Sequence, residues 1–168
     1  MLEEHAKLMT FFSQAGEVIG RKKLQKMIYI LKKLNVPFGE KFTFHVYGPY
    51  SEELSLRMEE LTNLGLIEEL KEDKGHYYHY RYSLSDEGTR FLKLSMINLP
   101  DLTDVTGDLN QQSSRFLELL STLLYFDHLS GEELKQKVMS VKPKQKYTNE
   151  EFEKAIHYMS QLKNYVVQ

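Results

Sequence analysis

The chain has 168 residues, 22 of them basic and 24 acidic, for a formal net charge of −2. That length allows one domain or two small ones, and 41% hydrophobic with 27% charged residues is an ordinary balance for a folded protein. There is no basic excess of the kind that supplies most nucleic-acid affinity, no cysteine for a disulfide or a thiolate zinc site, and no run of about 18 apolar residues to span a membrane.

The N-terminal segment carries Glu3 and Glu4 and lacks a long apolar centre, so no signal peptide is expected and the cytoplasm is the expected compartment. Residues 2–15 read as a first helix with Leu8, Phe11 and Phe12 among its apolar positions, and Gly16 and Gly20 flank a short break. The next helix spans residues 21–35. Its Leu24, Met27, Ile28, Leu31 and Leu34 recur at spacings of three and four and make one apolar stripe. Arg21, Lys22, Lys23, Lys26, Lys32 and Lys33 read as a basic face, and Pro37 and Gly39 end the unit.

Residues 42–46 alternate aromatic and β-branched side chains and read as a short strand, followed by Tyr47-Gly48-Pro49-Tyr50 as a turn. Ser51 is the expected N-cap of a helix reaching Asn63, with Glu52 and Glu53 placed to favour the helix dipole. Residues 66–70 and 76–84 read as two paired strands around a polar turn at 71–75, and Ser85 caps the helix that follows. Residues 98–110 hold Pro100, Gly107 and three aspartates and read as a linker. From Gln111 onward only helices are expected. One holds Phe116, Leu119, Leu120, Leu123 and Leu124. The other two start at the capping-box patterns Ser130-Gly131-Glu132-Glu133 and Thr148-Asn149-Glu150-Glu151.

Two helices followed by a hairpin give a winged-helix layout. The fold expected is mainly α (α+β): a winged-helix domain with a small β-hairpin over residues 1–97, a linker at 98–110, and a C-terminal helical unit at 111–168 that packs on it or on a second subunit.

The candidate sites are surfaces. The helix from Ser51 is the element that would enter a DNA groove, but it carries Glu52, Glu53, Glu59 and Glu60 against Arg57 alone. Base readout wants Arg, Lys, Asn or Gln near that end, and glutamates facing phosphates cost several kcal/mol. The hairpin strand is rich in aromatics. Tyr78, Tyr80 and Tyr82 share one face, and Tyr77, His79 and Arg81 share the other. Glu52, Glu53, Glu59, Tyr78, Tyr80, Arg81 and Tyr82 are therefore the candidate protein-binding residues, set against plain cross-strand packing. Arg21, Lys22, Lys23 and Lys26 are the candidate phosphate contacts, set against a solvated helix face. The six histidines are scattered, so no metal is expected. No Gly-rich phosphate loop, nucleophile elbow or singled-out acid/base pair is present, so no cofactor and no catalytic residue are expected.

At Lys23-Leu24-Gln25-Lys26 followed by Tyr29, and at Tyr47-Gly48-Pro49, the chain resembles the bacterial YwgA family. Ser121-Thr122, Lys142-Pro143 and the capped last helix extend that resemblance over nearly the full chain. The same two N-terminal motifs are similar, more distantly, to the Panacea domain, which occurs in antitoxins that neutralise diverse toxins by direct contact. Neither resemblance implies a catalytic residue. The function expected is a non-enzymatic cytoplasmic regulatory or adaptor module that binds a protein. The alternatives are a DNA-binding regulator and an antitoxin-like toxin neutraliser, and a homodimer is a further arrangement to test.

Overall fold

The structure is a computed structural model and describes residues 2–165. Its elements run α1 (Leu2–Ala15), β1 (Val18–Ile19), α2 (Arg21–Lys33), β2 (Thr43–His45), β3 (Gly48–Tyr50), α3 (Glu52–Asn63), β4 (Ile67–Asp73), β5 (Tyr78–Leu84), α4 (Asp86–Lys93), α5 (Thr103–Asn110), α6 (Ser114–Tyr125), α7 (Gly131–Val141) and α8 (Asn149–Leu162). The chain is α+β with helices dominant, and the described residues form two small antiparallel sheets, ordered β1-β5-β4 and β2-β3. Among the described residues no helix is long and apolar enough to cross a membrane.

The core is built around α2. From Leu24 to Leu31 every residue of this helix is buried, Gln25 and Lys26 included. Its apolar residues share the main cluster with α1, β1, β4 and β5, and α6 packs directly against it. A helix at the centre of a molecule loses its solvent face, and that is why the expected basic face survives only at its ends. Phe11, Phe12, Met27, Ile28, Leu54, Leu61, Ile67, Leu117 and Leu120 share one cluster. A smaller cluster of Leu119, Leu123, Leu134, Val138, Phe152 and Ala155 joins α6 to α7 and α8. Since α6 contributes to both, the hydrophobic interior runs from the first helix into the C-terminal ones.

The segment read as a linker is not one. Residues 103–110 form α5, and Leu102, Val105 and Leu109 are buried in the main cluster beside α1 and α2. Its apolar positions fall at i, i+3 and i+7, a helical spacing that the turn-forming residues around them obscured. The sharpest local corrections are two turns. The segment read as a turn at 47–50 is largely β3, which pairs with β2 in the register Thr43↔Tyr50 and His45↔Gly48, so the turn itself is Val46–Tyr47. The polar turn read at 71–75 lies further out, because β4 continues to Asp73 and pairs it with Tyr78.

Helix capping follows the sequence with one exception. The side chains of Ser51, Ser85 and Thr148 cap α3, α4 and α8, and Glu151 closes the box with Thr148. Ser130 stands at the start of α7 but its side chain makes no cap hydrogen bond. The adjacent Gly131 has φ +58, so the chain enters α7 without the geometry a capping box requires.

Candidate functional site

The residues that carry the family resemblance converge on the β2–β3 hairpin. Gln25 holds the backbone of Ser51 from both sides: its amide nitrogen donates to the Ser51 carbonyl at 2.9 Å, and its amide oxygen accepts from the Ser51 N–H at 2.8 Å. The Lys26 ammonium donates to the Pro49 carbonyl at 3.2 Å, and the Lys142 ammonium donates to the Val46 carbonyl. Gly48 has φ +93, and a Cβ there would stand 3.5 Å from both Lys26 Cε and Thr122 Oγ1. A left-handed residue at this point favours glycine. Buried groups from α2, α6 and the end of α7 thus grip a two-residue turn whose Val46 and Tyr47 are exposed.

Beneath the hairpin lies a buried charge cluster. Lys26, Lys142, Glu118 and Tyr147 are all buried. Glu118 takes Lys142 at 3.4 Å on one oxygen and the Tyr147 hydroxyl at 3.2 Å on the other. Lys142 is thus paired with the carboxylate, while Lys26 feels its charge without an ion-pair contact. Burial pushes the Lys26 ammonium down to about 8, against an ordinary 10.5, while the Glu118 charge opposes that shift and Lys142 adds to it.

The sign of the resulting pH dependence is fixed. Below pH 8 Lys26 is charged in both folded and unfolded chains, and the full cost of burying the charge is present. As pH rises from 8 toward 10.5, the folded chain releases the proton while the unfolded chain keeps it, so stability rises. The half-exposed Lys23, lowered by burial, acts in the same direction. Tyr29, Tyr82, Tyr147 and Tyr158 are pushed upward by burial, so they stay neutral in the fold and oppose the rise once the unfolded chain ionises near 10.0. Urea unfolding is expected to give about 1 kcal/mol more stability at pH 9 than at pH 7. Lys26→Met should flatten most of that slope. A wild-type slope of zero or of opposite sign would refute the assignment.

A groove of about 560 Å³ opens beside the hairpin, between the first turns of α2, the inner side of α3 and the β4–β5 sheet. Leu24, Leu54 and Met58 are among its apolar lining and Tyr47, Tyr50 and Tyr82 among its aromatic lining. The Lys22 ammonium sits 3.3 Å from the centre of the Tyr47 ring. At the sheet end the Arg21 guanidinium lies 3.8 Å from the Tyr80 ring centre, donates to the Tyr82 hydroxyl at 3.0 Å and stands 3.6 Å from Glu69.

The expected site residues fall into two groups. Glu52, Glu59 and Tyr78 are exposed, and Glu53 is half-buried with its carboxylate accepting from the Lys41 N–H at 2.8 Å. The Tyr78–Tyr80–Tyr82 face is the one turned toward the core, and burial increases along it from the hairpin tip inward. Tyr82 is 3% exposed, and its hydroxyl donates to Glu69 at 2.7 Å, so it is a packing residue and not a surface anchor. Tyr80 is half-buried under Arg21. Arg81, on the other face, bonds Glu72 and Glu17. Of the basic set, Arg21 and Lys22 are exposed, Lys23 donates to the Asn110 carbonyl, and Lys26 is buried. Lys26 and Lys23 are thus not the solvated cations that the helical pattern suggested. The groove, Lys142 and Glu118 were missed. The signals in the sequence were the Lys142-Pro143 pair and the two N-terminal motifs of the family resemblance, and Glu118 stands in none of them.

No family model matches the chain. It is 59% identical over 163 residues to the Bacillus subtilis (strain 168) protein described as "Uncharacterized protein YwgA", a match covering 97% of this chain and 98% of that one. With the two N-terminal motifs and their partners in α6 and α7 gathered at one hairpin, and with identity sustained over almost all of both chains, this protein belongs to the YwgA family.

Proposed function

We propose that the chain is a cytoplasmic, non-enzymatic adaptor or regulatory module of winged-helix type that binds a basic surface on a partner protein. The order α1, β1, α2, α3, β4, β5, with the sheet ordered β1-β5-β4, supports the winged-helix reading. The observation that carries the partner class is the outer face of α3. Leu56 is 59% exposed there, and Glu52, Glu59 and Glu60 lie one turn away along the same helix face. Glu52 and Glu59 have no ion-pair partner among the described residues. An exposed leucine ringed by carboxylates suits a basic protein with an apolar centre, because the apolar anchor supplies affinity while rim charges set selectivity and association rate. Toxin neutralisation, as implied by the Panacea resemblance, is one form this binding takes.

The DNA reading rests on the first turn of α2, where Arg21 and Lys22 are exposed. It ranks lower because Lys26 and Lys23 are committed inside the protein and α3 presents acids where phosphates would pass. The deciding experiment is affinity capture from the native cell with protein and nucleic acid both counted. Glu52→Lys with Glu59→Lys should slow association and abolish most capture. Leu56→Ala and Tyr78→Ala should each cost roughly 1–3 kcal/mol of partner affinity. Sequence-selective duplex recovered with the wild type, or unchanged protein capture by all folded variants, would sink the reading.

A further inference from the structure

Among the described residues the two most exposed large apolar side chains are close neighbours: Met96 is 97% exposed and Leu94 87%. They stand at and just past the end of α4, on a stretch whose inner side is anchored. Ile97 and Leu99 are half-buried against the main cluster, while Leu94 and Met96 are left outside. Leu94 also lines a shallow groove between α4 and the start of α1, together with the exposed Leu2 and the half-buried Phe91 and Ile97. Single exposed apolar residues are ordinary, but a group of them on one surface marks an interaction site.

The two rims of this surface differ in charge. α1 opens with Glu3 and Glu4, and Glu3 lines the groove. The last turn of α4 carries Arg90 and Lys93. Glu4 is committed to Lys7 and the Gly39 N–H, and Arg90 to Glu87. Glu3 is exposed and has only a loose contact with Lys7 at 3.7 Å, since Lys7 stands closer to Glu4 at 2.9 Å. Lys93 is exposed, with no acid within ion-pair reach among the described residues. An apolar strip with a free acid on one rim and a free base on the other is its own complement. Turned about a two-fold axis, each rim meets its opposite.

We propose that this surface joins two copies of the chain in a two-fold dimer. Leu2, Leu94 and Met96 of each copy pack on the same residues of the other, and Glu3 of each lies against Lys93 of the other. Other occupants match it less well. A strongly acidic or strongly basic protein would suit one rim and oppose the other, and a nucleic acid would bring phosphates to Glu3. The dimer does not rest on the binding role of α3, because purified chain alone tests it.

The test is sedimentation equilibrium of the purified full chain at concentrations up to about 500 µM. The wild type is expected to show a monomer–dimer equilibrium with a Kd of about 100 µM or tighter, the weak end of what specific interfaces give. Leu94→Glu combined with Met96→Glu should weaken it by about tenfold or more. Both side chains are exposed, so that variant should keep the wild-type circular dichroism. Glu3→Lys alone and Lys93→Glu alone should each weaken the dimer several-fold, because a two-fold axis turns each change into two like-charged contacts. The two changes together should restore it to near wild type, and a defect in folding would not be rescued in this way. Met139→Glu, placed at an exposed methionine on α7, should leave the equilibrium where it is. A wild-type chain that stays monomeric at about 500 µM overturns the proposal and leaves the surface to a different protein. So does a Leu94→Glu, Met96→Glu chain that dimerises like the wild type, a charge swap that is not rescued, or a dimer that Met139→Glu breaks equally well.

Discussion

Glu118→Gln is expected to destabilise the fold by about 3–5 kcal/mol at neutral pH, the usual loss when one partner of a buried ion pair is removed. The substitution keeps the shape of the side chain and removes the charge. Lys142, 5% exposed, then loses the carboxylate 3.4 Å away, and Lys26, 3% exposed, loses the negative charge that offsets its burial. The chain's response to pH separates this mechanism from a packing defect. With the carboxylate gone Lys26 gives up its proton more readily in the fold, so stability should climb more steeply between pH 7 and 9 than in the wild type. Urea unfolding at both values measures this. A loss below about 1 kcal/mol, within the range of exposed pairs, would mean that the lysines are compensated by some other group.

Leu109→Ala should cost about 2–5 kcal/mol, the range for a buried leucine truncated to alanine. Leu109 is fully buried, with Leu102 and Val105 beside it in the same cluster as α1 and α2. A residue in a true inter-domain linker would change stability by no more than about 0.5 kcal/mol. Thermal or urea unfolding of the single variant therefore decides whether α5 is part of the core. A value near zero would restore the linker.

The elements set by short-range chemistry were legible. The stripe of α2, the Ser51 cap of α3, the Ser85 cap of α4 and the Thr148–Glu151 box all read directly, because each is decided within a few residues. So was the pairing of β4 with β5, since alternation and a polar turn define it. What failed needed knowledge of what covers what. Lys26 sits on the polar side of a well-formed stripe, and only the arrival of the hairpin and α6 buries it. Tyr82 and Tyr78 share a strand face, and position along that face, not parity, decides that one is buried and the other exposed. The two-residue strand β1 is too short to carry a periodicity and exists because β5 offers Tyr82 and Arg81 as partners. For the site the lesson is similar. The motifs around Lys26 and Gly48 marked the right place, but their physical content, a lysine reaching a carbonyl across 23 residues of chain, is a tertiary fact.

The grip of Lys142 on the Val46 carbonyl spans 96 positions of sequence, and this bears on the order in which the protein is made. A bacterial chain leaves the ribosome at roughly 5–20 residues per second, so α1 to β5 emerge on the order of several seconds before α6 and α7. During that interval α2 has the N-terminal sheet, and water where α6 will pack. The hairpin then has Gln25 and Lys26 but not Lys142, and Lys26 has not yet met Glu118. The nascent N-terminal part thus waits with an apolar helix face uncovered, and the final closure of the hairpin is deferred until synthesis is nearly complete.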